Sequence, residues 1–308
     1  MAYIQCAKLV LDFQNMAFAV PMLLAVLADP RISPLLERVS EEARVFTEKS
    51  PQYLGVETLT QRGRIAPPRF KLRRGANPSE VPGVSYRTTE IVSEYRFGNL
   101  PGDPGQMREL RVVTGVNGKA VRDKLKARLE LAEGMSSDLD RFNKQMLQDL
   151  EAYGLVGAVI DSGQILMLFT RRELSNFDFE VLPDLVYEGE AVAVLGYRQS
   201  RGRAAKIYHR SLERLPLAGE LWIRRSTLQP VRISTEMPLI EGKSAVLHTI
   251  VVDYAPSRDR SVLLPSAVTY SRLQEGVLMV ETKALYSDFK RFSAETEIKF
   301  VAEGDPAQ

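Results

Sequence analysis

Residues 219–237 alternate apolar and polar side chains in two consecutive runs. Leu221 and Ile223 stand against Trp222 and Arg224; then Val231, Ile233, Thr235 and Met237 stand against Arg232, Ser234 and Glu236. A period of two marks strands with one buried face. Ser226-Thr227-Leu228-Gln229 between the runs reverses the chain, so the stretch predicts a β-hairpin with Leu221, Ile223, Val231 and Ile233 buried together. Pro230 has no ladder donor and belongs at the start of the second strand. Similar runs follow at 245–254, where Val246, His248, Ile250, Val252 and Tyr254 share the even positions, and at 266–273. In 277–286, Leu278, Val280, Thr282 and Ala284 share a face, and a last strand falls at 296–301. Upstream, 53–64, 86–97 and 109–116 read as strands, and 190–197 carries apolar residues on both faces.

Helical spacing occupies two other regions. Ser33-Pro34 opens a helix with Ser33 as N-cap, followed by Leu35, Leu36, Val39, Ala43 and Phe46 on one face and Ser50-Pro51 as the stop. After the turn dipeptide Asn117-Gly118, the chain leads into helices. Val121, Leu125 and Leu129 mark the face of one that ends near Gly134. Ser136 or Ser137 caps another, with Leu139, Phe142, Met146, Leu150 and Tyr153 on its apolar face and Gly154 as its terminator. Asp161 to Gln164 has the form of a capping box before 165–172, although the ILMLF within that stretch reads equally as a buried strand. The order of strands, a helical insertion at 119–172 and a long antiparallel run predicts an α+β fold. In it, a strongly curved antiparallel sheet, a half-barrel, is covered by helices within one domain at 29–302, followed by a disordered tail at 303–308.

Composition narrows the function classes. The chain has 308 residues, a formal net charge of +2 and ordinary globular proportions, too balanced for a dedicated nucleic-acid binder. Cys6 is the sole cysteine, so no intramolecular disulfide and no thiolate cluster can form, and two histidines leave little material for a metal site. Residues 16–28, MAFAVPMLLAVLA, are shorter than the about 20 needed to span a bilayer but match the apolar core of a secretory signal, with small residues before Asp29. Lys8 and Asp12 cancel in the preceding flank, so the positive n-region is weak, a start at Met16 being one way round this; the alternative is a buried amphipathic N-terminal helix. Export to the periplasm is the expectation. The stretch 62–74 carries Arg62, Arg64, Arg69, Lys71, Arg73 and Arg74 without an acid. With Pro67-Pro68 inside it, it reads as a basic loop open to an acidic partner or simply solvated.

ELWIRRSTLQPVRI (220–233) resembles the hairpin motif of the periplasmic lipoprotein-carrier superfamily. VVDYAPSRDRSVLLPSAV (251–268) resembles that superfamily's following strand pair, and DFKRFSAETEIKF (288–300) resembles the C-terminal end of exported bacterial proteins with this layout. Arg225 and Leu228 depart from the motif at the turn, where an acid and a glycine are usual. The resemblance implies a half-barrel closed by helices around an apolar cavity, holding an acyl chain or lipoprotein, or serving as an envelope sensor. It carries over no functional residue.

Catalytic and cofactor signals are thin. Asp161-Ser162-Gly163 is too short to mark a nucleophile, and no Gly-rich phosphate loop or metal-ligand spacing occurs. The expectation is a protein without enzymatic activity or cofactor. Its apolar ligand, an acyl chain, lipid or lipoprotein, would be lined by Val246, Ile250, Val252, Leu278 and Val280, with His248 at the ligand's polar end. The other reading is a filled-core structural or sensory protein that contacts an envelope partner. A hollow interior separates the two.

Overall fold

Ile32, Leu35, Val39, Ala43 and Phe46 recur at three-and-four spacing, and the computed structural model buries all five on one side of helix α1 (Ile32–Lys49). The structure describes residues 30–65, 84–99, 107–136, 139–156, 161–200 and 217–291. The predicted capping differs: α1 begins at Ile32, so Ser33 lies inside the first turn with its hydroxyl 3.4 Å from the Glu37 carboxylate. A 3-10 turn over Ser50–Gln52, containing Pro51, ends the helix.

Among the described residues the strands form one 11-stranded antiparallel sheet. In chain order they are β1 (Tyr53–Arg64), β2 (Tyr86–Asn99), β3 (Met107–Val116), β4 (Lys119–Ala120), β5 (Phe177–Tyr187) and β6 (Glu190–Gln199). Then come β7 (Ala218–Arg224), β8 (Pro230–Glu241), β9 (Ser244–Pro256), β10 (Leu263–Gln274) and β11 (Val277–Arg291). Their spatial order is β4-β3-β2-β1-β11-β10-β9-β8-β7-β6-β5, so β1 pairs with β11, and among the described residues β4 and β5 are open edges.

The β7–β8 hairpin matches its alternation. Leu221, Ile223, Val231 and Ile233 are all buried, and Leu228 takes a positive φ in the turn. On the opposite face, the Arg232 guanidinium lies 4.7 Å from the Tyr187 ring centre and 4.9 Å from that of Trp222, and it pairs with Asp253. Pro265 falls inside β10 rather than before it, at a register shift where a missing donor is tolerated.

The sheet curls tightly. Tyr254 on β9 donates its hydroxyl to the Gly163 carbonyl at 3.0 Å, while Glu109 on β3 accepts the Gly163 N–H at 2.6 Å. Those strands are five steps apart, about 24 Å in a flat sheet. One glycine joins them because the sheet bends around it. On this inner face, Phe46 of α1 packs edge-on against Phe97 and Tyr254, with ring centres 5.1 and 6.4 Å away.

Two further helices pinch the β1–β3 end from opposite sides. Helix α2 (Lys124–Ser136) presses Ala127 and Leu131 on Leu110 and Val112 of the outer face. Helix α3 (Leu139–Ala152) sets Met146 and Leu150 against Leu59, Ile91 and Val113 of the inner face. The predicted α2 face is therefore corrected: Val121, Leu125 and Leu129 are exposed, and the small residue at 127 makes the close contact instead.

Three other expectations change. Residues 165–169 form a 3-10 turn (Ile165–Phe169), neither strand nor capped α-helix, and Asp161 turns to Arg108 and the Glu109 N–H instead of capping. Asn117 and Gly118 both have positive φ and lead first into the short β4. Arg62 and Arg64 belong to β1, with Arg62 stacked on Tyr86 at 4.1 Å. The remainder of the basic stretch from 66, the apolar run 16–28 and the strand at 296–301 lie outside the described residues.

Candidate functional site

The segment 161–176 lies across the inner face, tied down by a buried charge cluster. Arg111 of β3 grips Glu57 of β1 through two hydrogen bonds, 2.7 and 3.0 Å, and donates to Glu109 at 2.6 Å. Asp161 sits 3.4 Å from Arg108 and 4.0 Å from Arg111. Three carboxylates thus share two guanidinium groups. Burial pushes the Glu109 carboxyl up to about 7, with Arg111 opposing the shift and Asp161 and Glu57 adding to it. Asp161 is raised too, again chiefly by burial. A Cβ on Gly163 would press on both Glu109 and the Tyr95 hydroxyl at 3.1 Å, so any larger residue would have to push them aside. Glu109 is fully buried and holds the Gly163 N–H, so this cluster fastens the segment to β1 and β3.

A groove of about 1910 Å³ runs beside the fastened segment, between α1 and strands β5 to β8. Its apolar surface comes from Ile32 and Leu36 of α1, Leu174, and Phe177, Phe179 and Tyr197 of β5 and β6. Charged residues border it: Glu37, Glu41, Arg44 and Glu48 along α1, Arg171 and Arg172 beyond the 3-10 turn, and Glu180, Arg198 and Glu236 on the strands. Arg44 is held by Glu41 and Glu48, so the α1 side of this border is an internally paired row. Tyr197 is anchored by donating to the Ser234 carbonyl at 2.8 Å, and its hydroxyl lies 2.6 Å from that of Thr235. An apolar body with a charged end matches this surface. Among the described residues, no three His, Cys, Asp or Glu side chains gather as a metal site.

The sequence-derived lining lies elsewhere on the same face. Val246, His248, Ile250 and Val252 project inward from β9, while Leu278 and Val280 sit two strands away on β11. Ile250 and Val252 are packed in the main core. Val246 and Val280 are buried, and Leu278 is half-buried. The His248 Nδ1 lies 2.9 Å from the Tyr270 hydroxyl, and its Nε2 is 3.9 Å from Glu241. Burial lifts the Tyr270 phenol to about 12. None of the six lines the α1 groove. The groove residues gave weak local signals: Leu36 stands off the centre of the α1 stripe, and Phe177-Asp178-Phe179 is a short alternation.

Solved structures similar to this chain include these two. One is a DUF1329 family protein from Desulfovibrio piger, 10% identical, with 87% of this chain and 96% of the other covered at a TM-score of 0.38. The second, from Vibrio parahaemolyticus, is a domain named for outer membrane lipoprotein sorting. It is 11% identical, with 86% and 98% covered at a TM-score of 0.35. No protein-family model matches the sequence, and no curated protein matches it.

Proposed function

We propose that this protein is an exported envelope binding protein of the half-barrel kind, holding an apolar ligand, an acyl chain or the lipid part of a lipoprotein, without catalysing a reaction. The α1 groove carries the reading: an apolar floor of Ile32, Leu36, Leu174, Phe177 and Phe179 under a charged border. Its volume, about 1910 Å³, exceeds the roughly 300–1,000 Å³ of compact small-molecule pockets and suits an elongated chain open to solvent at one end. Each buried methylene contributes about 0.8 kcal/mol. Eight of them give about 6 kcal/mol, a Kd on the order of tens of micromolar.

Mass spectrometry of lipids carried by the purified protein, together with titration of a fluorescent fatty acid, tests the proposal. Saturable uptake is expected, and Leu36→Asp, which places a charge on the groove floor at a half-buried position, should weaken it about tenfold or more. Lipid-free protein that takes up no probe refutes the reading. For Val246, His248, Ile250, Val252, Leu278 and Val280 the proposal is a second lining further along the inner face, with His248 meeting the ligand's polar end. Uptake unchanged by His248→Phe would confine the ligand to the α1 groove.

A further inference from the structure

Helix α2 carries apolar residues on two opposite faces. Ala127 and Leu131 are fully buried against the sheet, while Leu125 and Leu129, one turn apart on the far side, are 43% and 39% exposed. Val121, three residues before the helix, is 42% exposed as well. At 3.6 residues per turn, Lys124 and Lys126 flank Leu125 on either side, and Lys119 projects from the adjoining β4. All three lysines are exposed, and among the described residues no carboxylate pairs with them.

The neighbouring arginines are differently employed. Arg122 bridges Glu130 and Asp149, tying α2 to α3, and Arg128 holds the buried Glu94 of β2. The nearby acid Asp123 accepts the Lys126 N–H at 3.0 Å, capping α2. The helix is thus fixed by one face, and on the other it presents an aliphatic stripe beside ammonium groups that no described carboxylate pairs. Side chains at this spacing fit a surface that is apolar at depth and anionic at its boundary. We infer that the outer face of α2, with β4, docks on an anionic lipid bilayer, laying Val121, Leu125 and Leu129 into the interface while Lys119, Lys124 and Lys126 meet phosphate headgroups.

Co-sedimentation of the purified full chain with phosphatidylcholine vesicles, and with equimolar phosphatidylcholine and phosphatidylglycerol, tests the inference. Partition should favour the anionic vesicles and fall with added salt. Lys119→Gln, Lys124→Gln and Lys126→Gln together should lower it on the order of a hundredfold, about fivefold per lysine. Leu125→Gln with Leu129→Gln should lower it about tenfold or more, and the urea midpoint of each variant should match the parent. No partition, equal partition into both vesicle types, or variants that partition like the parent would overturn the inference. So would a dimer in light scattering that the double leucine variant dissolves, which would assign the stripe to a second copy of the chain.

Discussion

Replacing Glu109 with Gln isolates the proton held inside the charge cluster. In the folded protein burial lifts this carboxyl to about 7, against 4.5 when it is free. Between those values the unfolded chain loses the proton while the folded chain keeps it, so stability falls as pH rises. Each unit is worth about 1.4 kcal/mol, and the whole window about 3 kcal/mol. The contribution is fully present below pH 4.5 and gone above about 7. Glutamine is neutral throughout, and its carbonyl can still accept the Gly163 N–H. Urea unfolding of both proteins, from about pH 5 to about pH 8, should therefore show near-equal stabilities at the acidic end. At the basic end the variant should be the more stable by about 3 kcal/mol. Because the Asp161 charge acts on Glu109, the same pair compared in an Asp161→Asn background isolates the Glu109 proton. Parallel curves, or a parent that gains stability toward pH 8 relative to the variant, would show that Glu109 is ionised in the folded state and refute the reasoning.

Removing Arg111 by Arg111→Met strands Glu57 and Glu109 without their shared partner. The cost expected in urea at neutral pH is about 3–5 kcal/mol, and Glu57→Gln added to it should recover part of the loss. Gly219→Ala drives a Cβ into the Ser234 carbonyl oxygen across the β7–β8 ladder and crowds the Tyr197 hydroxyl at 3.0 Å. It should lower stability by about 1–3 kcal/mol, read as a drop in urea midpoint.

Strands with an aliphatic inner face were legible in the sequence, and β8, β9 and β11 lie where their alternation predicts. β1 was legible in extent but not in orientation. Leu54 and Val56 supply its visible alternation, yet the inward residues include Glu57 and Gln61. Glu57 is tolerated inside because Arg111, supplied by another strand, neutralises it, and no local pattern records a partner so far along the chain. The α2 spacing gave a helix, but periodicity cannot say which of two apolar faces meets the sheet. The groove was hidden for a similar reason. Leu36 and Phe179 are brought to one wall only by the curl of the sheet and the fastened segment at Gly163.

Because β1 pairs with β11, the first described strand waits for the last described one. Strands β5 to β11 can zip in sequence through neighbouring hairpins, and β1 to β4 can do the same. The seam between these two halves forms only when residues around Glu281 to Arg291 become available to Tyr53 through Gly63. Such late, distant pairing slows folding and leaves two open strand edges exposed in the meantime. A chain truncated before β11 would then be two half-sheets with no common ladder.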